Sequence, residues 1–220
     1  MTDAIKTSEL FCPDSLYLKE IFNRYEYPWQ ILNFIKEEIK RTAEAYMSDF
    51  VCLTEGVYVG KNVNIHPSAV IIPPAVIGDC CELRSGAFLR GNVITGKNCV
   101  IGNSTELKNC ILCDNAQAPH YNYIGDSVLG CHAHMGAGAV LSNLKADGSE
   151  VIIRGKETHQ TGRRKVGAFL ADGADIGCGC VLNPGTVIGK NSRVYPLTAV
   201  RGIIPAGSIV KTTENIVKIK

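Results

Sequence analysis

The fold is decided by residues 75–107, AVIGDCCELRSGAFLRGNVITGKNCVIGNSTEL, in which an aliphatic residue returns at every sixth position except Thr95. The same series extends outward in both directions, and eight of its ten members are aliphatic: Val59, Ile65, Ile71, Ile77, Leu83, Leu89, Thr95, Ile101, Leu107 and Cys113. A second series with this period runs from Leu170 to Val200. A small residue often follows the apolar one, as in Ile77-Gly78, which suits a chain that turns a corner there.

A strict period of six separates this chain from other repeat folds. A sandwich would show alternating strands at irregular spacing, and a helical repeat would show a period of 3.6 within each unit. The pattern therefore predicts an all-β fold, a left-handed parallel β-helix of hexapeptide repeats over residues 51–210. In such a fold each triangular coil buries its inward residues by stacking on its neighbours.

Three segments lack the six-residue repeat. Residues 1–50 are predicted to be helical, with Asp14 or Ser15 as a cap and Pro28 at the start of a further helix. We expect this segment to be a cap or an oligomer contact.

The other two segments interrupt or follow the β-helix. Residues 143–165 are polar, and they are predicted to form an extruded loop. Residues 211–220 are predicted to form a C-terminal tail.

Composition limits the classes of function. The formal net charge is +2, from 23 basic and 21 acidic residues, so we expect no general attraction to nucleic acid. The first residues carry no secretory signal pattern, and no apolar run is long enough to span a membrane. These features predict a soluble, cytoplasmic protein whose ten cysteines are thiols. Cys110 and Cys113 form a C-x-x-C pair, which we interpret as buried packing residues.

One motif carries a sharper signal. Residues 120–126, HYNYIGD, resemble the histidine motif in the acetyltransferase domain of bifunctional sugar-1-phosphate nucleotidylyltransferase/acetyltransferases, which make UDP-N-acetylglucosamine. The resemblance covers about residues 55–210 and continues through the motifs Leu89-Arg90, Glu106-Leu107-Lys108, Gly136-Ala137-Gly138, Ser142-Asn143-Leu144 and 162–169 (GRRKVGAF).

The resemblance implies an activity. It implies a hexapeptide-repeat acyltransferase that moves the acetyl group of acetyl-CoA to the nitrogen of an amino-sugar 1-phosphate similar to glucosamine 1-phosphate. It also implies a homotrimer with sites between subunits and no metal requirement. A small helical segment stands where those relatives have a nucleotidyltransferase domain, so we expect no pyrophosphorylase activity.

The resemblance also implies roles for individual residues. His120 matches the catalytic base, and Asn143 matches an asparagine near the amino group. Arg90 and Lys108 match the basic pair that holds the sugar phosphate, and Tyr123 matches a tyrosine that assists it.

Further residues are assigned to the co-substrate and the sugar. Cys178 and Pro196 match the acetyl-CoA region. The basic run at 163–165 is a candidate for the phosphates of coenzyme A; it consists of Arg163, Arg164 and Lys165. His134 stands where the family usually has an asparagine and is assigned to the substrate, so this change leaves the identity of the sugar open.

Physical chemistry supports these roles separately. An amino sugar is largely ammonium at neutral pH, and an imidazole with a pKa of about 6.5 is suited to remove its proton. Arg90 and Lys108 are eighteen residues apart, which is one coil, so we expect them to stack as a phosphate clamp. His120 is predicted to lie where the hexad slips.

Two other functions remain open from the sequence. One is a non-catalytic subunit that binds a sugar nucleotide or serves as a scaffold for a separate nucleotidyltransferase. The other is metal-dependent hydration, because His132 and His134 would share one face of a strand and could hold a metal. No clear third ligand accompanies them, so we predict no metal site.

Overall fold

The structure is a computed structural model that describes residues 4–212 and 214–218. Four helices come first within this range: α1 (Thr7–Leu10), α2 (Leu16–Asn23), α3 (Pro28–Ile31) and α4 (Ile35–Ala45). Strands fill the remainder, in the order β1 (Val51–Thr54), β2 (Val57–Val59), β3 (Asn64–Ile65), β4 (Val70–Ile72), β5 (Ala75–Ile77), β6 (Glu82–Leu83), β7 (Phe88–Arg90), β8 (Val93–Thr95), β9 (Val100–Asn103), β10 (Glu106–Lys108), β11 (Cys110–Leu112), β12 (Gln117–His120), β13 (Tyr123–Gly125), β14 (Val128–Leu129), β15 (His134–Met135), β16 (Val140–Leu141), β17 (Ile152–Arg154), β18 (Thr158–Gln160), β19 (Ala168–Leu170), β20 (Asp175–Ile176), β21 (Val181–Leu182), β22 (Thr186–Ile188), β23 (Arg193–Val194), β24 (Ala199–Val200), β25 (Ile203–Ile204), β26 (Ser208–Thr212) and β27 (Asn215–Lys218).

Most strands belong to three sheets that form the sides of a prism. Sheet A has the order β1-β2-β5-β8-β11-β14-β19-β22-β25, sheet B the order β27-β26-β23-β20-β15-β12-β9-β6-β3, and sheet C the order β24-β21-β16-β13-β10-β7-β4. Each coil passes from sheet A to B to C, and successive coils pair in parallel, as β7 does with β10 and β10 with β13. The predicted left-handed parallel β-helix is confirmed.

The six-residue series forms the interior of this prism, with one correction. Ile77, Leu83 and Leu107 are fully or almost fully buried there, as the period requires. The series is wrong at its last member, because Leu112 pairs with Thr95 and faces the interior. Cys113 instead packs in the cluster on the side of the helices.

The departure from the six-residue series arises at the corner between sheets C and A. Inward residues there are five positions apart, from Leu107 to Leu112 and again from Ile124 to Leu129. These shortened corners contain Asn109 and Asp126, each in the left-handed region with φ 49°. The hexad therefore slips at Asn109 and Asp126. The sequence had suggested a slip at His120, and that prediction is wrong.

The helices lie along one side of the prism, on the outer face of sheet A, rather than over one end. Trp29 is only 4% exposed, and its ring lies 6.2 Å from that of Phe169 in β19. Helix α3 begins at Pro28, as predicted. Ser15 occupies the cap position of α2, but its hydroxyl donates to Asp114 instead of capping the helix. Because the helices cover sheet A, its strand β11 is buried on both faces.

Two aspartates attach the helical segment to the corner between sheets A and B. Asp114 Oδ2 accepts hydrogen bonds from the backbone N–H groups of Asp14 and Ser15 at 2.7 and 2.9 Å. Asp172 Oδ2 accepts from the N–H of Cys12 at 2.9 Å. The connection between α1 and α2 is therefore attached at two coils.

The chain leaves the prism between β16 and β19. The excursion forms the antiparallel hairpin of β17 and β18, and a bridge between Leu144 and Lys165 closes its base. At the C-terminal end, β26 and β27 pair as a second antiparallel hairpin. Part of the predicted 211–220 tail, namely residues 213, 219 and 220, and residues 1–3 of the N-terminal segment lie outside the described residues. None of the helices in the described ranges has the length and apolar character needed to span a membrane.

Candidate active site

A buried carboxylate lies at the centre of the candidate site. The side chain of Asp126 is only 2% exposed and accepts four hydrogen bonds at the corner between sheets C and A. Its Oδ1 accepts from Asn109 Nδ2 at 2.8 Å and from an Arg163 guanidinium nitrogen at 3.1 Å. Its Oδ2 accepts from Asn143 Nδ2 at 2.7 Å and from Lys108 Nζ at 3.4 Å. The shortened corner thus collects residues from three parts of the chain.

The two predicted phosphate ligands are neighbours in sheet C. Glu106 pairs with Phe88 and Leu107 with Leu89, so Lys108 lies one coil from Arg90 on the same sheet. Both side chains carry a carboxylate partner, since Arg90 contacts Glu106 at 2.5 Å and Lys108 contacts Asp126. The stacking predicted from the eighteen-residue spacing is present.

Tyr123 and Asn143 lie next to this cluster. Asn143 Nδ2 donates to Tyr123 Oη at 3.3 Å as well as to Asp126. Burial, helped by the carboxylates of Glu106 and Asp126, raises the pKa of Tyr123. The phenol therefore stays protonated at neutral pH, and its O–H can donate to a ligand.

His120 lies at the other edge of sheet C. It ends strand β12 in sheet B, just before the corner that leads to Tyr123, and its side chain is exposed. Buried Asn122 holds this corner, because its Oδ1 accepts from the His120 N–H at 3.2 Å and its Nδ2 donates to the Gly136 carbonyl at 2.8 Å. His120 does not line the cavity around Arg90 and Lys108.

The corner that contains His120 continues upward as a column, defined here as residues 120, 137, 178 and 196. Gly138 N–H donates to the His120 carbonyl at 3.0 Å, Gly179 N–H to the Ala137 carbonyl at 2.8 Å, and Leu197 N–H to the Cys178 carbonyl at 2.9 Å. These bonds stack each corner on the next. Cys178 and Pro196, the residues assigned to acetyl-CoA, therefore lie above His120 along the prism.

The three basic residues at 163–165 do not all lie at the same place in the structure. Arg163 and Lys165 line the same cavity as Arg90 and Lys108. Arg164 is directed elsewhere, and its Nε donates to the Gly148 carbonyl at 2.7 Å within the excursion. The geometry thus places two of the three next to the predicted phosphate ligands, where we had expected all three to serve coenzyme A.

The two neighbouring histidines do not share a strand. His132 occupies a turn with φ 58°, and only His134 belongs to β15. His134 Nδ1 lies 2.9 Å from Asp175 Oδ1 on the next coil. The premise of a two-histidine metal face is therefore wrong. Within the described residues, no group of three or more His, Cys, Asp or Glu side chains is placed to hold a metal ion.

Comparison with known proteins supports the resemblance read from the histidine motif. A family model described as the GMPPB C-terminal domain matches residues 71–159. The bifunctional protein GlmU of Methanococcus aeolicus is 31% identical over 223 residues, which cover 99% of this chain and 54% of that protein. The chain is therefore similar to GlmU over nearly its whole length. It also shares 30% identity with a bifunctional sugar-1-phosphate nucleotidylyltransferase/acetyltransferase of Sulfurisphaera tokodaii, over 84% of this chain and 47% of that protein.

The chain spans about half the length of the GlmU-like relatives it matches. Solved structures are more distant. PerB from Caulobacter crescentus, in complex with CoA and GDP-perosamine, is 19% identical with a TM-score of 0.42, over 67% of this chain and 52% of that one. LpxA from Acinetobacter baumannii is 16% identical with a TM-score of 0.41, over 70% of this chain and 66% of that one.

Proposed function

We propose that this chain is an acetyl-CoA-dependent N-acetyltransferase that acts on an amino-sugar 1-phosphate similar to glucosamine 1-phosphate. The observation that carries the proposal is the pairing of two features across sheet C. Stacked Arg90 and Lys108 lie at one edge, and His120 lies at the other, with Tyr123 between them. In a 2-amino-sugar 1-phosphate the phosphate and the amine are on adjacent carbons, so the side chains of Arg90 and Lys108 from one edge and of His120 from the other must converge over Tyr123.

The long side chains at the two edges of sheet C must bridge the width of the sheet. Strand β13 contributes residues 123–125 between the two corners, which is about 10 Å at 3.3 Å per residue. Arginine, lysine and histidine side chains are long enough to shorten the gap between the groups at its edges. In this arrangement the phosphate binds Arg90 and Lys108, and Tyr123 contacts the sugar; His134, which the sequence assigned to the sugar, lies on sheet B instead.

His120 is proposed as the general base. The amine must lose a proton before its lone pair can attack the acetyl carbonyl, and imidazole is a base of suitable strength near neutral pH. The nitrogen then forms a bond to the carbonyl carbon, and the thiolate of coenzyme A leaves and takes up a proton. Asn143 lies next to Tyr123 and is proposed to orient the amino group.

Acetyl-CoA is proposed to run along the column at Cys178 and Pro196, with its thioester next to His120. Arg163, Arg164 and Lys165 were assigned to its phosphates. The cavity positions of Arg163 and Lys165 favour the acceptor phosphate for these two instead, and Arg164 stays a candidate for coenzyme A.

A homotrimer is proposed to complete the site. The outer face of sheet C exposes apolar residues that a second copy could cover; Val70 is 52% exposed and Val181 is 41% exposed. A cytoplasmic location is also proposed, because the ten cysteines are all unpaired, as expected in a reducing compartment. Sedimentation of the purified protein would measure its oligomeric state.

The activity is tested by thiol release from acetyl-CoA with a panel of amino-sugar phosphates. We expect turnover with at least one of them and a drop in kcat of at least about 100-fold for His120→Ala. His66→Ala is the matched control, because His66 is also an exposed histidine next to a sheet B strand but lies on the first coil, three coils away from His120. Equal loss in both variants, or no turnover with any acceptor, would contradict the proposal.

The second candidate is a non-catalytic subunit that binds a sugar nucleotide or serves as a scaffold for a separate nucleotidyltransferase. The match to a family model described as the GMPPB C-terminal domain supports this second candidate. Ligand binding by wild type and His120→Ala alike, without acetyl transfer by either, would support this function over the enzyme.

A further inference from the structure

We propose that the N-terminal helical segment forms part of the acceptor site, with Lys36 as a specificity-determining residue for a phosphate monoester and Asn33 as a positioning residue. This inference rests on the proposed acetyl transfer to an amino-sugar phosphate. It concerns a segment that the sequence alone indicated only as a cap or an oligomer contact.

The helical segment is one wall of the cavity that contains the stacked cations. The cavity has a volume of about 410 Å³, and residues 32, 33 and 35–37, called the helical wall here, line it together with the corner between sheets C and A. Arg90, Lys108 and Arg163 lie on the opposite side. A phosphate bound to these cations would therefore also face the helical wall.

The wall is attached to the buried carboxylate through two shared donors. Asn109 Nδ2 donates to the Leu32 carbonyl at 3.2 Å and also to Asp126. The Arg163 guanidinium donates to Asn33 Oδ1 and also to Asp126. Asn33 thus holds Arg163 in the orientation in which it pairs with Asp126, and a change at Asn33 alters the position of that guanidinium.

The charges around the cavity leave two lysines for a ligand, together with the carboxylate of Glu37, which also lines the cavity. Arg90 is paired with Glu106, and Lys108 and Arg163 share Asp126. Among the described residues, no ion pair within 4.0 Å involves the exposed side chains of Lys36 and Lys165, which come from opposite walls. Two such cations suit a terminal phosphate, which carries about 1.5 to 2 negative charges on one group at neutral pH.

This arrangement favours a monoester over a nucleotide-linked sugar. In a nucleotide-linked sugar each phosphate has one ester and one anhydride linkage and carries a single charge, and the attached nucleoside would need additional space in this cavity. A free terminal phosphate concentrates its charge between Lys36 and Lys165. The helical wall thus selects an acceptor whose phosphate is unsubstituted.

The test compares Lys36→Ala with Lys40→Ala, since Lys40 is an exposed lysine one turn further along α4 with a side chain 79% exposed to solvent. We expect Lys36→Ala to raise the KM for the amino-sugar 1-phosphate about tenfold while the KM for acetyl-CoA stays within twofold. Lys40→Ala should match wild type, and Lys36→Arg should restore most of the affinity. With the same amino sugar lacking its phosphate, Lys36→Ala and wild type should have equal kcat/KM.

Asn33 is tested in the same way, by comparing the KM for the acceptor with the KM for acetyl-CoA. Asn33→Ala should raise the acceptor KM with unchanged Trp29 fluorescence, and Asn33→Asp, which keeps an oxygen for Arg163, should restore it. Equal acceptor KM in Lys36→Ala and Lys40→Ala would overturn the inference.

Binding of glucosamine 1-phosphate by calorimetry separates this inference from the proposed function. Wild type could bind glucosamine 1-phosphate without transferring acetyl groups, while Lys36→Ala binds it at least about fivefold more weakly. In that case the proposed acetyl transfer is wrong, and the proposed role of the helical wall in phosphate binding is supported. If Lys36→Ala binds it as wild type does, or wild type does not bind it, the proposed role of the helical wall in phosphate binding is contradicted.

Discussion

Asp126 and Arg163 form an ion pair of 3.1 Å between a coil corner and the excursion that follows the next coil. The same carboxylate holds Lys108, Asn109 and Asn143, so one buried group orients side chains from the coils on either side of it. It binds no ligand in the proposed reaction. Its role is to position the groups that do.

Replacement of Asp126 by Asn should impair acceptor binding more than folding. The amide keeps the shape but removes the charge that holds Lys108 and Arg163, so we expect kcat/KM for the acceptor to fall at least about tenfold, or about 1.4 kcal/mol. The KM for acetyl-CoA should stay within twofold. Asp147→Asn, at an exposed aspartate in the excursion, is the control, and an equal effect of both changes would contradict this role.

Gly102 is predicted to be needed for the position of His120. A Cβ at this residue would lie 1.6 Å from the carbonyl oxygen of Pro119, which directly precedes His120. Gly102→Ala should therefore move this corner, cost at least about 2 kcal/mol of unfolding free energy and reduce kcat. Denaturant titration and steady-state kinetics measure the two effects.

Gly207→Ala provides the comparison for the glycine series. Gly207 has φ 63°, and a Cβ there would meet nothing within 4 Å. The backbone strain alone should cost about 1 kcal/mol without a change in kcat. A Gly102→Ala protein as stable and active as wild type would show that the corner tolerates a shift.

Cys178 offers a chemical probe of the proposed acetyl-CoA column. Cys12, Cys52, Cys80 and Cys178 are exposed, whereas burial raises the pKa of thiols such as Cys110 and makes them poor nucleophiles. We expect N-ethylmaleimide to label these four cysteines in the native protein and acetyl-CoA to protect Cys178 alone. Peptide mass spectrometry reads out each site, and undiminished labelling of Cys178 at saturating acetyl-CoA would exclude it from the channel.

Asp114 is predicted to hold the helical segment against the prism. Asp114→Ala removes the acceptor for Asp14, Ser15 and Lys97 N–H groups, so we expect a loss of about 3 kcal/mol. Trp29, the single tryptophan, is buried between helix and sheet and reports the detachment by fluorescence. Glu37→Ala, at an exposed residue of α4, should leave the transition unchanged, and a wild-type transition for Asp114→Ala would disprove the attachment.

The same residue gives a direction for acid stability. Burial alone would raise the pKa of Asp114, but the hydrogen bonds from Ser15, Lys97 and Asp14 outweigh it and lower the pKa below its usual value. A carboxylate with a lowered pKa stabilises the folded state above pH about 3.9 and loses this contribution as the pH falls further. Trp29 fluorescence should therefore show detachment at a higher pH in Asp114→Asn than in wild type; identical acid transitions would contradict this.

The sequence predicts the prism because inward residues repeat at a constant interval. Arg90 and Lys108 could be predicted as neighbours for the same reason, since their spacing is one full coil. Asp126 was missed as a site residue although it belongs to the histidine motif. The signal that could have found it is the five-residue step from Ile124 to Leu129, which marks a shortened corner.

Other contacts depend on geometry that no local pattern contains. Asp175 reaches His134 only because the excursion between them leaves and rejoins the prism at one corner. The left-handed backbone of His132 removes it from the strand that an H-x-H pattern predicts. The helical wall could not be placed from sequence, because its contacts with Asn109 and Arg163 join segments 77 and 130 residues apart.

One amino-sugar phosphate is proposed to bind over sheet C, with its phosphate toward the Arg90–Lys108 edge and its amine facing His120. A crystal structure of the protein with coenzyme A and glucosamine 1-phosphate tests it most directly. We expect the phosphate between Arg90, Lys108 and Lys36, and the amino nitrogen within hydrogen-bond distance of the His120 imidazole. A sugar bound with its amine away from His120, or with its phosphate outside this cavity, would contradict it.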